Sequence, residues 1–368
     1  MKNNFKKRKV FLFVAILLGM LIAAELSVRT LDYARGYPFW SNTHRNLVTK
    51  TMKPLIPYRI FGWPLYEDID GKTYIVSVHG ERYPLKKGDD AFRIVAFGEG
   101  NTKKIIDGMH FPLLLQQKLQ TEYPQKHIEV INVGESKYAT THSLTLLAFD
   151  VISWNPDLVI IDHNGNDLLT GYWPNLAYDY SNKYGTAFYM PNYAERLTKT
   201  NILFNWSSFY WLVKEKLSAR ADTRALEQKN IIQRISYGSE PPQGAVEIFS
   251  RNLRAFLAIT RANDIPVILG TQPLNQARER FEEHFRLKEY NKIVRYPAHE
   301  EFIAHFNLFN DTIKKIARTA NAYAIDHNAI LNGDPEYFSD YVHMNKRGLE
   351  KLADDYYRFI MVKNIITK

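Results

Sequence analysis

Short apolar runs alternate with amphipathic segments from Phe92 onward, and this alternation constrains the fold more than any other feature of the sequence. Five runs have the length and composition of buried strands, at 93–97, 128–133, 157–161, 266–270 and 322–326. Five segments have apolar residues at helical spacing, at 111–123, 144–154, 246–257, 301–320 and 349–360. Strands and helices that alternate in this way predict a three-layer α/β sandwich, with a parallel sheet between two layers of helices.

The N-terminus carries a basic cluster followed by an unbroken apolar run. The cluster is Lys2, Lys6, Lys7, Arg8 and Lys9, and the apolar run extends from Val10 to Ala24. This order predicts a cytoplasmic tail at 1–9, a signal-anchor transmembrane helix at 10–28, and an extracytoplasmic remainder, periplasmic or at the cell surface. Cleavage as a signal peptide is the alternative. The cleavage pattern is poor because Leu21 or Ile22 stands where a small residue is needed, and a retained anchor is therefore favoured.

Charge and cysteine content exclude several classes of function. The net charge is +9, but the N-terminal cluster supplies five of the positive charges, and no basic run with interleaved aromatics follows. We therefore predict no binding to nucleic acid. The absence of cysteine excludes disulfides, thiolate nucleophiles and cysteine-ligated zinc. The histidines show no metal-ligand spacing, so neither a cofactor nor a metal is predicted.

Two segments depart from the alternating pattern. Residues 29–90 are rich in proline and aromatics and are interpreted as a stalk or lead-in to a domain at 91–368. Residues 168–242 are rich in Tyr, Trp, Asn and Pro and are interpreted as an insertion at the carboxyl edge of the sheet. Such an insertion can be a lid with substrate contacts or a structural excursion, and the sequence leaves both readings open.

Four polar blocks follow predicted strand ends or lie in a late loop. They are Gly98-Glu99-Gly100-Asn101-Thr102, Gly134-Glu135-Ser136, Asn164-Gly165-Asn166-Asp167 and Asp340-Tyr341-Val342-His343. The carboxyl ends of parallel strands are where such sheets bind ligands, so we expect these blocks to meet at one edge.

The order and spacing of these blocks resemble those of the SGNH (GDSL-type) hydrolase family. The first block is matched around Gly98, the second at 131–134, the third at 157–167 and the last at 340–343. The resemblance covers roughly residues 92 to 360. It implies a flavodoxin-like SGNH hydrolase fold and an ester hydrolase or O-acyltransferase. The anchor followed by Glu25-Leu26-x-x-Arg29 is similar to membrane-tethered members, which implies an acylated glycan or lipid of the cell envelope as ligand.

The resemblance also assigns roles to individual residues. His343 would be the general base and Asp340 would orient it. The oxyanion donors would be the backbone N–H of Gly100, the N–H of Gly134 and the side chain of Asn166.

The family's nucleophilic serine would stand at residue 100, and this chain has Gly100 there. Three consequences remain open, in this order of preference. The domain binds an acylated ligand without chemistry. Alternatively, Ser136 or Thr102 substitutes as nucleophile, or His343 activates water directly. Last, the change is an isolated loss within an active lineage. Two hypotheses follow: an impaired hydrolase or acyltransferase, or an accessory binding protein that partners a membrane acyltransferase.

Overall fold

The computed structural model describes residues 2–35, 39–40, 65–184, 207–210, 212–213, 236–242, 244–288 and 296–366. The strands are β1 Tyr66–Ile69, β2 Lys72–Val76, β3 Arg82–Pro84, β4 Ala91–Gly98, β5 His127–Asn132, β6 Leu158–Asp162, β7 Val267–Gly270 and β8 Tyr323–Ile325. The helices that follow the N-terminal helix α1 (Lys2–Ala34) are α2 Gly100–Lys103, α3 Phe111–Glu122, α4 Thr140–Phe149, α5 Gly165–Gly171, α6 Ser181–Tyr184, α7 Ala245–Ala262, α8 Arg278–Lys288, α9 His299–Ala320, α10 His327–Leu331 and α11 Lys346–Val362.

The chain divides into two compact units. Unit 1 combines residues 1–54 with 186–231, and unit 2 combines 55–185 with 232–368. The composition of residues 168–242 predicts one insertion in the α/β domain. In the structure, the central part of that insertion groups with the N-terminal segment, and only its two ends group with the α/β domain.

Unit 1 contains the N-terminal helix α1, Lys2–Ala34. Its Arg8–Ala34 portion contains an apolar stretch that is long enough to cross a membrane. A helix of this kind at an N-terminus is either a membrane anchor or a signal sequence. The helix runs six residues beyond the predicted end at residue 28 because Arg29 to Ala34 continue it without a glycine or proline.

Unit 2 is built on a five-stranded parallel sheet with the order β5-β4-β6-β7-β8. All five strands fall on the predicted runs, so the predicted parallel sheet is confirmed. Ile94 pairs with Val130 on one side and Leu158 on the other, and all three are fully buried. Burial on both faces explains why these strands read as continuous apolar runs and not as alternating patterns.

Helices cover both faces of the sheet, which confirms the three-layer architecture. Successive side chains of β4 point to opposite faces of the sheet. Ile94 belongs to the core shared with α3 and α11, whereas Phe97 packs edge-on against Phe256 of α7, with ring centroids 5.2 Å apart. Helices α4 and α9 also contact α7 and complete that second layer.

The second half of the segment predicted as a stalk contains a small antiparallel sheet, β1-β2-β3. Arg93 of the main sheet holds it in place. Its fully buried guanidinium donates to the carbonyl oxygen of Pro84 at 2.6 Å and pairs with Glu129 at 2.6 Å. A buried guanidinium with several acceptors fixes orientation strongly, because loss of one partner leaves an uncompensated charge.

Candidate active site

The predicted polar blocks meet at the carboxyl edge of the parallel sheet. Gly98 at the end of β4 pairs with Asp162 at the end of β6, and Ala96 pairs with Asn132 at the end of β5. The loops that follow these strands are therefore neighbours, as expected from parallel strand ends.

His343 and Asp340 form a hydrogen-bonded dyad in the late loop. The Asp340 carboxylate accepts from His343 Nδ1 at 2.7 Å, and it also accepts the backbone N–H groups of Val342 at 2.8 Å and of His343 at 2.7 Å. Partial burial would raise the pKa of the Asp340 carboxyl, but these hydrogen bonds and the His343 charge outweigh it and hold that pKa well below its usual range. The His343 side chain is 35% exposed, so its second ring nitrogen can be reached by a ligand.

Gly100, the first residue of α2, lies directly against this imidazole. A Cβ atom on residue 100 would lie 2.9 Å from Nε2 and 3.1 Å from Cδ2 of His343. The two residues are 243 positions apart in the sequence, and the fold brings them together as the resemblance implied. The ring stands so close that any side chain at residue 100 would displace it.

Asn101 connects the two loops. Its Nδ2 donates to the carbonyl oxygen of Val342 at 3.0 Å, and its Oδ1 accepts the N–H of Met344 at 2.9 Å. The side chain therefore holds the backbone on both sides of His343. A role for Asn101 could not be predicted from the sequence, because its partners lie more than 240 residues away.

The two hydroxyls considered as substitute nucleophiles are placed differently. Thr102 is 1% exposed, and its side chain is wedged between Gly98 and Gly134. Ser136 is exposed, and its backbone N–H donates to Glu135 Oε1 at 2.8 Å. Within the described residues, neither hydroxyl is hydrogen-bonded to His343.

The three expected oxyanion donors differ in how free they are. The N–H of Gly134 donates to Asn132 Oδ1 at 3.0 Å, and the Asn166 Nδ2 donates to the carbonyl oxygen of Tyr138 at 2.9 Å. Asn166 keeps a second amide hydrogen. The N–H of Gly100 heads helix α2, where the first amides have no acceptor within the helix. Of the three, the N–H of Gly134 is therefore the donor least available to a ligand, because its single hydrogen is already bonded to Asn132.

Glu99 links the first block to the third. Its nearly buried carboxylate accepts the N–H of Asn164 at 2.9 Å and the N–H of Asn166 at 3.0 Å. His163 Nδ1 lies 3.4 Å from the same carboxylate, and its Nε2 lies 2.7 Å from the hydroxyl of Ser143. The carboxylate therefore fixes the start of α5, and with it Asn166, relative to Gly100.

Glu99, His163 and Asp167 form a buried trio whose ligating atoms all lie within 4.8 Å of one another. By distance they could hold a metal ion, which the sequence did not predict. All three side chains already have hydrogen-bond partners within the protein. Asp167 accepts the N–H of Thr140 at 3.0 Å, Glu99 accepts the N–H groups at the start of α5, and His163 bonds the hydroxyl of Ser143. Burial raises the pKa of the Asp167 carboxyl to about 6, with the Glu99 charge acting in the same direction and the His163 charge opposing it.

Asp162 and His163 point to opposite faces of the sheet, as expected for adjacent strand residues. His163 faces Glu99, whereas the Asp162 carboxyl carbon lies 3.6 Å from the position that a Cβ on Gly270 would take. Burial raises the pKa of Asp162 well above its usual range. The two residues therefore do not act as a shared ligand pair.

Comparison with known proteins identifies the family to which this site corresponds. The GDSL-like lipase/acylhydrolase family model matches residues 98–351, which is more than half of the chain. A comparison with curated proteins gave no significant match.

Solved structures of this family are also similar to the chain. A lipase/acylhydrolase from Enterococcus faecalis is 17% identical with a TM-score of 0.43, over 74% of this chain and 96% of that one. The acetyl xylan esterase AlAXEase is 16% identical with a TM-score of 0.42, over 73% and 100%. Axe2, an acetylxylan esterase from Geobacillus stearothermophilus, is 16% identical with a TM-score of 0.40, over 73% and 93%.

Proposed function

Since the chain belongs to the GDSL-like lipase/acylhydrolase family, we propose that unit 2 is an ester-recognising domain whose serine-based chemistry is impaired. Its ligand is an acylated glycan or lipid of the cell envelope, and residue 100 is the position from which the nucleophilic serine is missing. The reaction class is hydrolysis or transfer of an O-acyl group.

One observation carries the proposal. The imidazole of His343 lies against Gly100, with Asp340 on its other ring nitrogen at 2.7 Å. This is the arrangement of a base and its orienter, which in this family act on a hydroxyl at residue 100. Glycine supplies no hydroxyl, and among the described residues neither Ser136 nor Thr102 is hydrogen-bonded to His343, so the proposed reaction uses a hydroxyl that arrives with the ligand or with water.

The membrane context supports an envelope ligand. Helix α1 follows a basic cluster and is apolar enough to span a bilayer. A retained anchor with the basic end inside would hold the remaining chain at the outer surface, where acylated glycans and lipids are found.

An accessory role is the second candidate, and one observation favours it. The N–H of Gly134 is engaged by Asn132 and is not presented to a ligand. Loss of one oxyanion donor typically costs a factor of ~10²–10³ in rate. The serine is missing as well, so unit 2 lacks two of the groups that catalysis in this family uses. As an accessory protein, it would bind the ligand for a membrane acyltransferase and carry out no chemistry of its own.

The full-length protein in detergent, assayed with p-nitrophenyl acetate and with a fluorophosphonate that labels activated serines, tests the proposal. We expect the unmodified protein to remain unlabelled and to hydrolyse the ester no faster than His343→Ala. Gly100→Ser should become labelled and gain hydrolysis that is lost in Gly100→Ser/His343→Ala. The ring of His343 must shift to admit a serine Cβ, and as the end of a side chain it can.

Gly100→Ala is the matched control, because it adds the Cβ without the hydroxyl and should stay inactive and unlabelled. Labelling of the unmodified protein at Ser136 would overturn the proposal, since a substitute nucleophile would then exist. A folded Gly100→Ser protein that is neither labelled nor active would show that residue 100 is not the serine position.

A further inference from the structure

The last turns of helix α1 have one buried face. Glu25, Val28, Arg29 and Asp32 are 8%, 6%, 5% and 2% exposed, and they recur at the three- and four-residue spacing of one helical stripe. Leu31, on another side of the same turns, is 57% exposed. This end of the helix therefore packs against other residues of unit 1 instead of standing free.

Glu25 binds the start of a second helical segment in unit 1. Its carboxylate accepts the hydroxyl of Ser207 at 2.8 Å and the backbone N–H groups of Ser208 at 2.9 Å and Phe209 at 2.8 Å. Arg29 completes the arrangement by donating to Glu25 at 2.7 Å and to the carbonyl oxygen of Phe39 at 2.9 Å. A buried carboxylate with three such donors and an adjacent guanidinium is fully satisfied, which lets it persist in apolar surroundings.

The position of Glu25 along the helix fixes its depth in a bilayer. It lies sixteen positions after Lys9, which is about 24 Å of helix at about 1.5 Å per residue. The hydrocarbon core is about 30 Å thick. With Lys9 at the inner headgroups, Glu25 comes close to the outer boundary, and any group hydrogen-bonded to it lies at the same level.

The segment held by Glu25 has the chemistry of a membrane interface. Residues 207–213 read Ser-Ser-Phe-Tyr-Trp-Leu-Val and carry no charge. Phe209, Tyr210 and Leu212 are partly exposed, and Val213 is 38% exposed. Aromatic and aliphatic side chains without charges are typical of elements that lie in the headgroup region.

We infer that residues 207–210 and 212–213 contact the outer surface of the lipid bilayer and are held there by Glu25 of the anchor helix. The inference rests on the membrane anchoring proposed above. It gives the central part of the insertion a function as a second membrane contact, beside α1, and identifies its partner as the lipid headgroup region.

Site-directed spin labelling tests the inference, because the chain has no cysteine to remove. Val213→Cys is labelled in the full-length protein in vesicles of phosphatidylcholine and phosphatidylglycerol. Phe13→Cys within the apolar run and Ile330→Cys on unit 2 are the references, 67% and 46% exposed in the native residues. Collision with oxygen relative to a water-soluble nickel chelate reports the depth of each label.

We expect the oxygen-to-nickel ratio at residue 213 to lie between the two references and several-fold above that at residue 330. A ratio at residue 213 equal to that at residue 330, with residue 13 in lipid, overturns this inference alone. Aqueous values at both residue 13 and residue 213 overturn the proposed anchor as well.

The role of Glu25 is tested by adding Glu25→Ala or Glu25→Gln to the labelled Val213→Cys protein. Alanine removes the acceptor, and we expect the label to move toward the aqueous value and become more mobile. Glutamine keeps one acceptor oxygen and should have a smaller effect. An unchanged label in Glu25→Ala would show that Glu25 does not hold the segment at the membrane.

Discussion

Asn101 holds the loop of His343 by bonding to the backbone on both sides of the imidazole. It donates to the carbonyl oxygen of Val342 and accepts the N–H of Met344, at 3.0 Å and 2.9 Å. Because Asn101 directly follows Gly100, this side chain, together with Asp340, fixes the position of the imidazole against residue 100.

Replacement of Asn101 should loosen that contact. We expect Asn101→Ala to lower the free energy of unfolding by about 1–3 kcal/mol, because a nearly buried amide and carbonyl lose their partners. Asn101→Asp is the graded control, since it keeps the acceptor for Met344 and loses only the donor to Val342. Urea unfolding measures both variants. Equal stability of Asn101→Ala and the unmodified protein would show that the bridge contributes nothing.

Glu99 should matter for a different reason, since its carboxylate is the acceptor for the start of α5. Glu99→Ala leaves the buried N–H groups of Asn164 and Asn166 without their acceptor. We expect a loss of about 2–4 kcal/mol in unfolding free energy, with Glu99→Gln losing less because it keeps one oxygen. In the Gly100→Ser background, Glu99→Ala should also lower ester hydrolysis, because Asn166 is no longer fixed.

The exposed ion pair between Glu67 and Arg82 provides the control for this experiment. In the same Gly100→Ser background, Glu67→Ala should leave both the midpoint of unfolding and the rate of ester hydrolysis unchanged, since exposed ion pairs contribute little to stability. A Glu99→Ala protein that behaved like Glu67→Ala would contradict the positioning role.

The parallel sheet was predictable because each of its strands is a short, continuous apolar run in the sequence. The run at 158–161 is 0–1% exposed throughout, and such continuous burial requires apolar residues at every position. Helix α8 was not predicted, because Arg278–Lys288 is mostly charged, and among its residues 278–285, whose side chains the structure describes, only Phe281, His284 and Phe285 are buried. A mostly charged segment with so few apolar residues gives too weak a helical pattern to separate it from a polar loop.

The candidate site was predictable as a set of blocks but not in its bonding. The order of the blocks placed Gly100 and His343 together, because parallel strand ends meet at one edge. The capture of the Gly134 N–H by Asn132 depends on one side-chain rotamer, and the bonds of Glu99 join residues more than 60 positions apart. Sequence spacing carries no information on either.

Thr102 offers a test of the substitute-nucleophile hypothesis. Its buried hydroxyl has no hydrogen-bond partner among the described residues. Thr102→Val replaces it with a methyl of similar size, and we expect a change between zero and a gain of about 1 kcal/mol in stability. Hydrolysis of p-nitrophenyl acetate should stay at the level of His343→Ala in both the unmodified protein and Thr102→Val. If the unmodified protein instead hydrolysed the ester faster than His343→Ala and a folded Thr102→Val protein lost that excess, Thr102 would again be a nucleophile candidate.

The matched control is Thr140→Val, which also removes a buried hydroxyl. That hydroxyl donates to Asp167 and accepts from Asn252 at 2.9 Å. Its loss should destabilise the protein by about 1–3 kcal/mol, since both partners stay buried.

Asp167 should give the protein a distinctive pH dependence of stability. Burial raises the pKa of its carboxyl from 3.8 to about 6 in the folded state. Between about pH 4 and pH 6 the folded protein therefore holds a proton that the unfolded chain has released, and the unfolding free energy falls as the pH rises. A tenfold change in proton affinity corresponds to about 1.4 kcal/mol, so the fall is on the order of 3 kcal/mol and is complete above about pH 6.

Asp167→Asn removes this titration, so its stability relative to the unmodified protein should rise between pH 4 and pH 6 and then level off. Asp340→Asn is the control with the opposite sign. The folded pKa of Asp340 lies below the unfolded one, so its contribution is present above about pH 4 and is lost only as the pH falls further. Urea unfolding at pH steps across 3–8 separates the two variants. A constant difference between Asp167→Asn and the unmodified protein from pH 4 to pH 6 would show that Asp167 is ionised throughout, and that Thr140 and His163 stabilise its charge more than burial opposes it.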